Sequence, residues 1–160
     1  MTQRDELAVS LLSAENVAGA AALCRECFTT PWPESVYRRE LENPQSVGFV
    51  CTDGETVVGF IHCDFVLDEL TLNTLAVRAD YRRCGIAKRL FAAAAEMVSG
   101  VCTVCYLEVR ESNLAARRLY ESLGFRQNGF RPRYYHDPEE AAVLMEKPLG
   151  SGIPADSSAD

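Results

Sequence analysis

The stretch Leu70 to Lys88 constrains the fold most, because it joins a short apolar run to an amphipathic one through a turn that carries a glycine. Leu70-Thr71-Leu72-Asn73-Thr74-Leu75-Ala76-Val77 is β-compatible and reads as a strand, while apolar Ile86, Leu90, Ala94 and Met97 recur at helical spacing. Between them, Arg78-Ala79-Asp80-Tyr81 leads into Arg82-Arg83-Cys84-Gly85-Ile86-Ala87-Lys88. Gly85 can take backbone angles that a side chain forbids, and small residues let a ligand approach the main chain. The N–H groups of Arg83, Cys84, Gly85, Ile86, Ala87 and Lys88 would converge at a helix N-terminus, whose orphan donors and positive dipole end suit an anion. Arg82, Arg83 and Lys88 flank it. The segment reads either as a diphosphate cradle or as an ordinary strand-to-helix turn.

A length of 160 residues with 48% hydrophobic composition supports one packed core, and we expect a single domain over residues 1–149. The formal charge of −7 argues against nucleic acid as a direct partner, since phosphate binding wants a basic surface; a basic peptide or an amine would instead be attracted. Met1-Thr2-Gln3-Arg4-Asp5-Glu6 carries acids where a signal peptide would have basic residues, which reads as a cytoplasmic protein. Lys88, Arg89 and Glu96 interrupt the Ile86 to Val98 region, well short of the roughly 20 apolar residues needed to span a bilayer, so no membrane span is expected. The seven cysteines are odd in number and read as free, small buried apolar residues; zinc or redox chemistry is the alternative. Cys24 and Cys27 fall in an alanine-rich helical stretch, and Cys102 and Cys105 in a strand-like run whose positions three apart face opposite sides. No metal is expected.

In chain order, Leu7 to Leu12 reads as a strand and Ser13 as the cap of a helix over Ala14 to Phe28. Pro31-Trp32-Pro33 breaks the pattern, and a second helix over Glu34 to Glu42 ends before Pro44. Val47 to Thr52 and Val57 to Val66 flank Asp53-Gly54-Glu55-Thr56 as a hairpin, and Asp68-Glu69 turns the chain into the Leu70 strand. After the Ile86 helix, Ser99-Gly100 leads to a strand over Val101 to Val109. Ser112 or Asn113 caps a further helix with Ala115, Ala116, Leu119, Tyr120 and Leu123 on one face, and Gly124 terminates it. Phe125 to Phe130 and Ala141 to Glu146 read as the last strands, and residues 150–160 as a disordered tail. The order β-α-α-β-β-β-α-β-α-β-β predicts an α/β (α+β) fold on one mixed sheet. Neither a nucleoside-triphosphate loop nor a Gly-x-Gly-x-x-Gly after a strand is present, so the diphosphate belongs to another ligand.

Arg82-x-x-Gly85-x-Ala87 after a strand resembles the pyrophosphate loop of the Gcn5-related N-acetyltransferases (GNAT). Leu107-Glu108-Val109-Arg110-Glu111-Ser112-Asn113 through Leu119-Tyr120-Glu121-Ser122-Leu123-Gly124-Phe125 is similar to the ribosomal-protein alanine N-acetyltransferase (RimI-type) branch, as are Pro31-Trp32 and Tyr134-Tyr135. Ala87 stands where the second loop glycine is common, and Pro33 where a serine is usual. The resemblance covers about Leu7 to Leu149 and implies the GNAT-type acyl-CoA N-acyltransferase fold, a mixed, mostly antiparallel sheet flanked by helices. It implies acetyl-CoA as co-substrate, held by Leu75, Ala76, Val77, Arg83, Cys84, Gly85, Ile86, Ala87, Lys88 and Asn113. It also implies a protein or peptide N-terminus as acceptor, namely the terminal alanine of a small-subunit ribosomal protein.

An amine attacks a thioester only when neutral, so a proton must be taken from it. The resemblance makes Glu108 the base; partial burial on a face shared with Val104 and Tyr106 would raise its pKa, and pairing with Arg110 on that face is the bland alternative. Tyr120 matches the family's general acid or, more plainly, an aromatic on an apolar helix face. Asn113 is either a ligand contact or a helix cap. Trp32 and Tyr134-Tyr135 wall the acceptor site or pack structurally. His62 and His136 have no companions at ligand spacing. The same chemistry on another protein N-terminus, a lysine or a small amine is the nearest alternative function, and a non-catalytic acyl-CoA-binding module is the one from another class.

Overall fold

A computed structural model describes residues 6–150. The acidic N-terminal stretch, save Glu6, and residues 151–160 of the expected tail lie outside the described residues.

The elements run β1 (Leu7–Leu11), α1 (Val17–Cys27), α2 (Glu34–Glu40), β2 (Ser46–Asp53), β3 (Thr56–Val66), β4 (Glu69–Val77), a 3-10 turn (Ala79–Tyr81), α3 (Ile86–Met97), β5 (Val104–Arg110), α4 (Leu114–Ser122), β6 (Arg126–Tyr135) and β7 (Glu140–Pro148). The strands hydrogen-bond in the order β1-β2-β3-β4-β5-β7-β6. β1 with β2, β2 with β3, β5 with β7 and β6 with β7 are antiparallel, and β4 with β5 is parallel. This is the expected mixed, mostly antiparallel α/β sheet.

The chain forms two units, one of residues up to 65 with 72–98, the other of residues 66–71 and from 99 onward. In the first, α1 buries Val17, Ala20, Leu23 and Cys24, a stripe at helical spacing, against Tyr37, Val50, Val57, Phe60 and Ala76. The Tyr37 hydroxyl is buried there and bonded to Thr74 Oγ1 at 3.0 Å, so a polar pair sits under β4 with its hydrogen bond made. Gly59 on β3 lies below the first turns of α3: a Cβ there would come within 2.6 Å of Ile86 Cγ2 and 3.1 Å of Leu90 Cδ1. In the second unit, β5 turns Cys105, Leu107 and Val109 inward with Phe125, Ala142, Val143 and Met145.

Several boundaries differ from expectation. The first helix begins at Val17, not Ala14, because Asn16 folds back: its Oδ1 accepts from the Ser13 N–H at 2.8 Å and its Nδ2 donates to the Leu11 carbonyl. Ser13 thus opens a turn and does not cap the helix itself. β5 begins at Val104, not Val101, because Thr103 is drawn off to Asp68, donating through both its N–H and its hydroxyl. Cys102 therefore precedes the strand, although it and Cys105 are both buried as expected. β6 runs well past the expected end at Phe130, to Tyr135, while β7 (Glu140–Pro148) lies close to the expected Ala141 to Glu146; β6 has no buried residue, so no apolar alternation marks it. The seven cysteines are thiols outside any disulfide, five of them buried. Among the described residues, no helix is long and apolar enough to cross a membrane, and no cluster of three or more His, Cys, Asp or Glu is arranged to hold a metal.

Candidate active site

β4 delivers the chain to the loop before α3. The parallel ladder with β5 covers Glu69 to Thr71, and Leu75, Ala76 and Val77 lie beyond it, the first two buried and Val77 half-buried. Two donors converge on the Val77 carbonyl, Arg82 Nε at 3.1 Å and Cys27 Sγ at 3.8 Å, and fix the strand's end. Burial raises the Cys27 thiol pKa, and the Arg82 guanidinium opposes that rise. Arg78 N–H returns to Val58 of β3 at 2.8 Å.

The loop reverses through two left-handed residues, Arg83 at φ 64° and Gly85 at φ 80°. Gly85 is the N-cap residue of α3, and no side chain caps the helix there. A Cβ at Gly85 would meet nothing within 4 Å, so conformation, not crowding, demands the glycine, and the space before the helix is open. Left-handed geometry at Arg83, which has a side chain, costs about 1–2 kcal/mol and is the kind of outlier that accompanies a binding loop. Nothing in the sequence marked it. Ile86 anchors the helix in the core, Cys84 and Ala87 are half-buried, and Arg83 and Lys88 are exposed. The uncapped amides of a 12-residue helix with cationic side chains around them are donors of the kind a diphosphate takes.

In the second unit, β5 points Val104, Tyr106, Glu108 and Arg110 to its less buried face. Glu108 is exposed, not partly buried as expected: it lies on the outward face of β5, while Leu107 and Val109 on either side of it turn to the buried face. Nor is it simply the partner of Arg110, which is engaged by Glu140 at 3.2 Å. Glu108 instead accepts a hydrogen bond from the Tyr134 hydroxyl, which raises the Tyr134 pKa with some help from burial. Burial first, then the Glu108 charge, pushes Tyr135 up to about 12. Both phenols stay protonated and available as donors at neutral pH.

Asn113 caps α4: its Oδ1 accepts from the Ala116 N–H at 3.1 Å. Capping uses the carbonyl oxygen only. The apolar face expected of this helix is not buried, since no α4 residue is; Ala116, Leu119 and Tyr120 are half-buried and Ala115 is exposed. Tyr120 stands edge-on to Phe125, ring centroids 5.9 Å apart. Trp32, 43% exposed, rests on Tyr37 and His62 in the first unit, at centroid distances of 5.6 and 6.0 Å. His62 is buried with polar partners that the sequence did not announce: Nε2 lies 2.9 Å from Ser46 Oγ and 3.4 Å from Glu40, and Nδ1 lies 3.4 Å from Asn73 Nδ2. Burial lowers its pKa against the pull of Glu40 and Asp64.

Residues 18–125 match the Acetyltransferase (GNAT) family. The chain belongs to that family. The match runs through both units. Among curated relatives, the [ribosomal protein bS18]-alanine N-acetyltransferase of Escherichia coli K12 is 33% identical over 145 residues, covering 88% of this chain and 97% of the relative. The crystal structure of the ribosomal-protein-S18-alanine N-acetyltransferase from Escherichia coli superposes with a TM-score of 0.80 at 31% identity, over 93% of this chain and 97% of the other. A chain in the crystal structure of the NatC complex bound to Gag peptide and CoA gives 0.75 at 28% identity, over 90% of this chain and 99% of that one. The GNAT fold is thus confirmed over nearly the whole length, and the relatives are named as N-acetyltransferases.

Proposed function

We propose that the chain moves acetyl from acetyl-CoA to the N-terminal α-amine of a small-subunit ribosomal protein that begins with alanine. The observation that carries this is likeness across almost all of both chains to an enzyme named for that reaction, joined to an open, uncapped helix N-terminus after a left-handed glycine. The net charge of −7 suits a basic ribosomal acceptor.

In this reading the main chain of Arg83, Cys84, Gly85, Ile86, Ala87 and Lys88 holds the pyrophosphate, and Leu75, Ala76 and Val77 hold the acetyl and pantetheine portion through their backbone. Asn113 adds a contact through the amide nitrogen that its cap leaves unused. Acetyl-CoA supplies the activated acyl group as a thioester. Glu108 takes a proton from the acceptor ammonium, directly in this proposal, and the freed nitrogen forms a bond to the carbonyl carbon. A backbone N–H at Leu75 to Val77 steadies the oxyanion, a contribution on the order of 3 kcal/mol. The carbon–sulfur bond then breaks, Tyr120 gives its proton to the thiolate, and the second proton that the nitrogen sheds on becoming an amide restores the phenol. Trp32, Tyr134 and Tyr135 contact the acceptor. The reaction calls for no metal, and the protein works in the cytoplasm.

A panel of peptides differing at residue one, assayed for CoA release, tests the acceptor. The alanine-initiated ribosomal sequence should turn over fastest; equal rates for alanine, lysine side-chain and N-terminally blocked peptides would reject this reading. A second reading, transfer to a different protein N-terminus, draws on the likeness to the peptide-bound NatC chain.

A further inference from the structure

Arg110 closes β5, and its guanidinium is spread over a turn 26 to 30 residues further along the chain. Nη1 donates to the Pro138 carbonyl at 3.0 Å and to Glu140 Oε1 at 3.2 Å, and Nη2 donates to the His136 carbonyl at 2.9 Å. Its Cζ stands 4.5 Å from the centroid of the Tyr135 ring. The other oxygen of Glu140 accepts from the Ser112 N–H at 2.6 Å, immediately before α4. Glu111 N–H also reaches the Ala141 carbonyl at 3.0 Å. An exposed ion pair would use the carboxylate and leave the carbonyls to water; here one fork satisfies two turn carbonyls, a carboxylate and an aromatic face. That turn carries Asp137 at φ 53° and follows directly on Tyr134 and Tyr135. Tyr134 bonds to Glu108, two residues before Arg110 on the same strand. Arg110 thus ties the turn to β5, and Glu108 ties the end of β6 that leads into it.

We propose that Arg110 is a positioning residue for the acceptor: it holds the β6–β7 turn so that Tyr134 and Tyr135 receive the first residues of the incoming peptide beside Glu108. The proposal rests on the acetyltransferase reading above. A lysine could keep the charge but not the role, because an ammonium is a point donor that neither spans three acceptors in a plane nor stacks flat on a ring.

The test uses the full chain with Arg110→Ala and Arg110→Lys, and with Arg126→Ala as a control that removes only the exposed pair to Glu146. For Arg110→Ala, the KM for an alanine-initiated peptide should rise about tenfold or more, with kcat falling less and the acetyl-CoA dissociation constant holding within about twofold. Arg110→Lys should recover part of the loss, and Arg126→Ala should change nothing. Amide hydrogen exchange at Ser112 and through residues 136–140 should quicken by about tenfold in Arg110→Ala. Faster exchange with an unchanged peptide KM would overturn the acceptor role, unchanged exchange would overturn the clamp, and a matching loss of acetyl-CoA affinity would mean general loosening and overturn both. If the parent chain acetylates no peptide, the reading of function falls. Titration of the peptide into the CoA-saturated variants, read beside the exchange rates, then decides Arg110 by the same outcomes.

Discussion

The loop from Arg82 to Lys88 presents main chain, with α3 uncapped and open space before Gly85, whereas the outward end of β5 presents side chains, with Glu108, Arg110, Tyr134 and Tyr135 tied to one another. On β5 the backbone itself is consumed, because Val104 to Arg110 pair residue for residue with β7. Under the proposed function the difference separates two tasks. A diphosphate is recognised by amide groups that any residue carries, so identity matters there only where it sets φ. Proton transfer and acceptor recognition need particular side chains, and each substitution removes chemistry.

The largest expected effect lies on the side-chain region. Glu108→Gln should lower kcat about a hundredfold near neutral pH, with acetyl-CoA affinity nearly intact and the deficit shrinking as rising pH deprotonates the amine unaided. A flat deficit across the pH–rate profile would remove Glu108 as base. Tyr120→Phe should slow the chemical step by about tenfold or more with the melting temperature preserved, and turnover at the parent rate would leave Tyr120 as packing against Phe125. On the main-chain region, Gly85→Val forces a β-branched residue to φ 80° and should weaken acetyl-CoA binding by about tenfold, a cost of about 1–2 kcal/mol. Arg82→Ala should cost only a few-fold in the same titration, since exposed charges contribute about 0–1 kcal/mol. Should Arg82→Ala prove the worse of the two, the cradle would be built from side chains after all.

The smallest effect is one of pH. Hydrogen bonds from Ser112, and then Arg110, hold the Glu140 carboxyl below its usual range. A depressed folded pKa stabilises above the unfolded value, about 4.3 for a free glutamate, and that stabilisation is lost as pH falls through the folded value. Protection of the Ser112 amide should therefore be level near neutral pH and decline only on acidification, and Glu140→Gln should erase that step. An acid step that persists in Glu140→Gln would assign it to another group.

What the sequence disclosed follows the same division. The strand, turn and helix around Gly85 are readable because conformation is encoded locally, in spacing and in one glycine; the hairpin at Gly54 is readable for the same reason, and the α4 cap is narrowed to Ser112 or Asn113, of which the structure uses Asn113. The sequence shows only the first part of β6, because a strand with no buried residue carries no alternating signal. Glu108 was expected half-buried because alternation along β5 gives the face but not how much covers it. Arg110 looked like a neighbour for Glu108, two positions away, yet its partners lie beyond the next helix, where no local pattern reaches. Left-handed Arg83 and the polar surroundings of buried His62 are likewise products of tertiary placement.

Gly59 bears on how finely the amides proposed to hold the pyrophosphate are levelled above the sheet. Ile86, the first residue of α3, and Leu90, one turn on, sit over a bare backbone. The height of that helix terminus is thus fixed by the thickness of a main chain and a β-branched methyl in contact, with no compliant side chain between them to act as a cushion. A single methyl inserted at Gly59 would lift the near end of the helix while its far end stays seated. The amides would then swing as a lever, changing their aim without any change to the loop sequence.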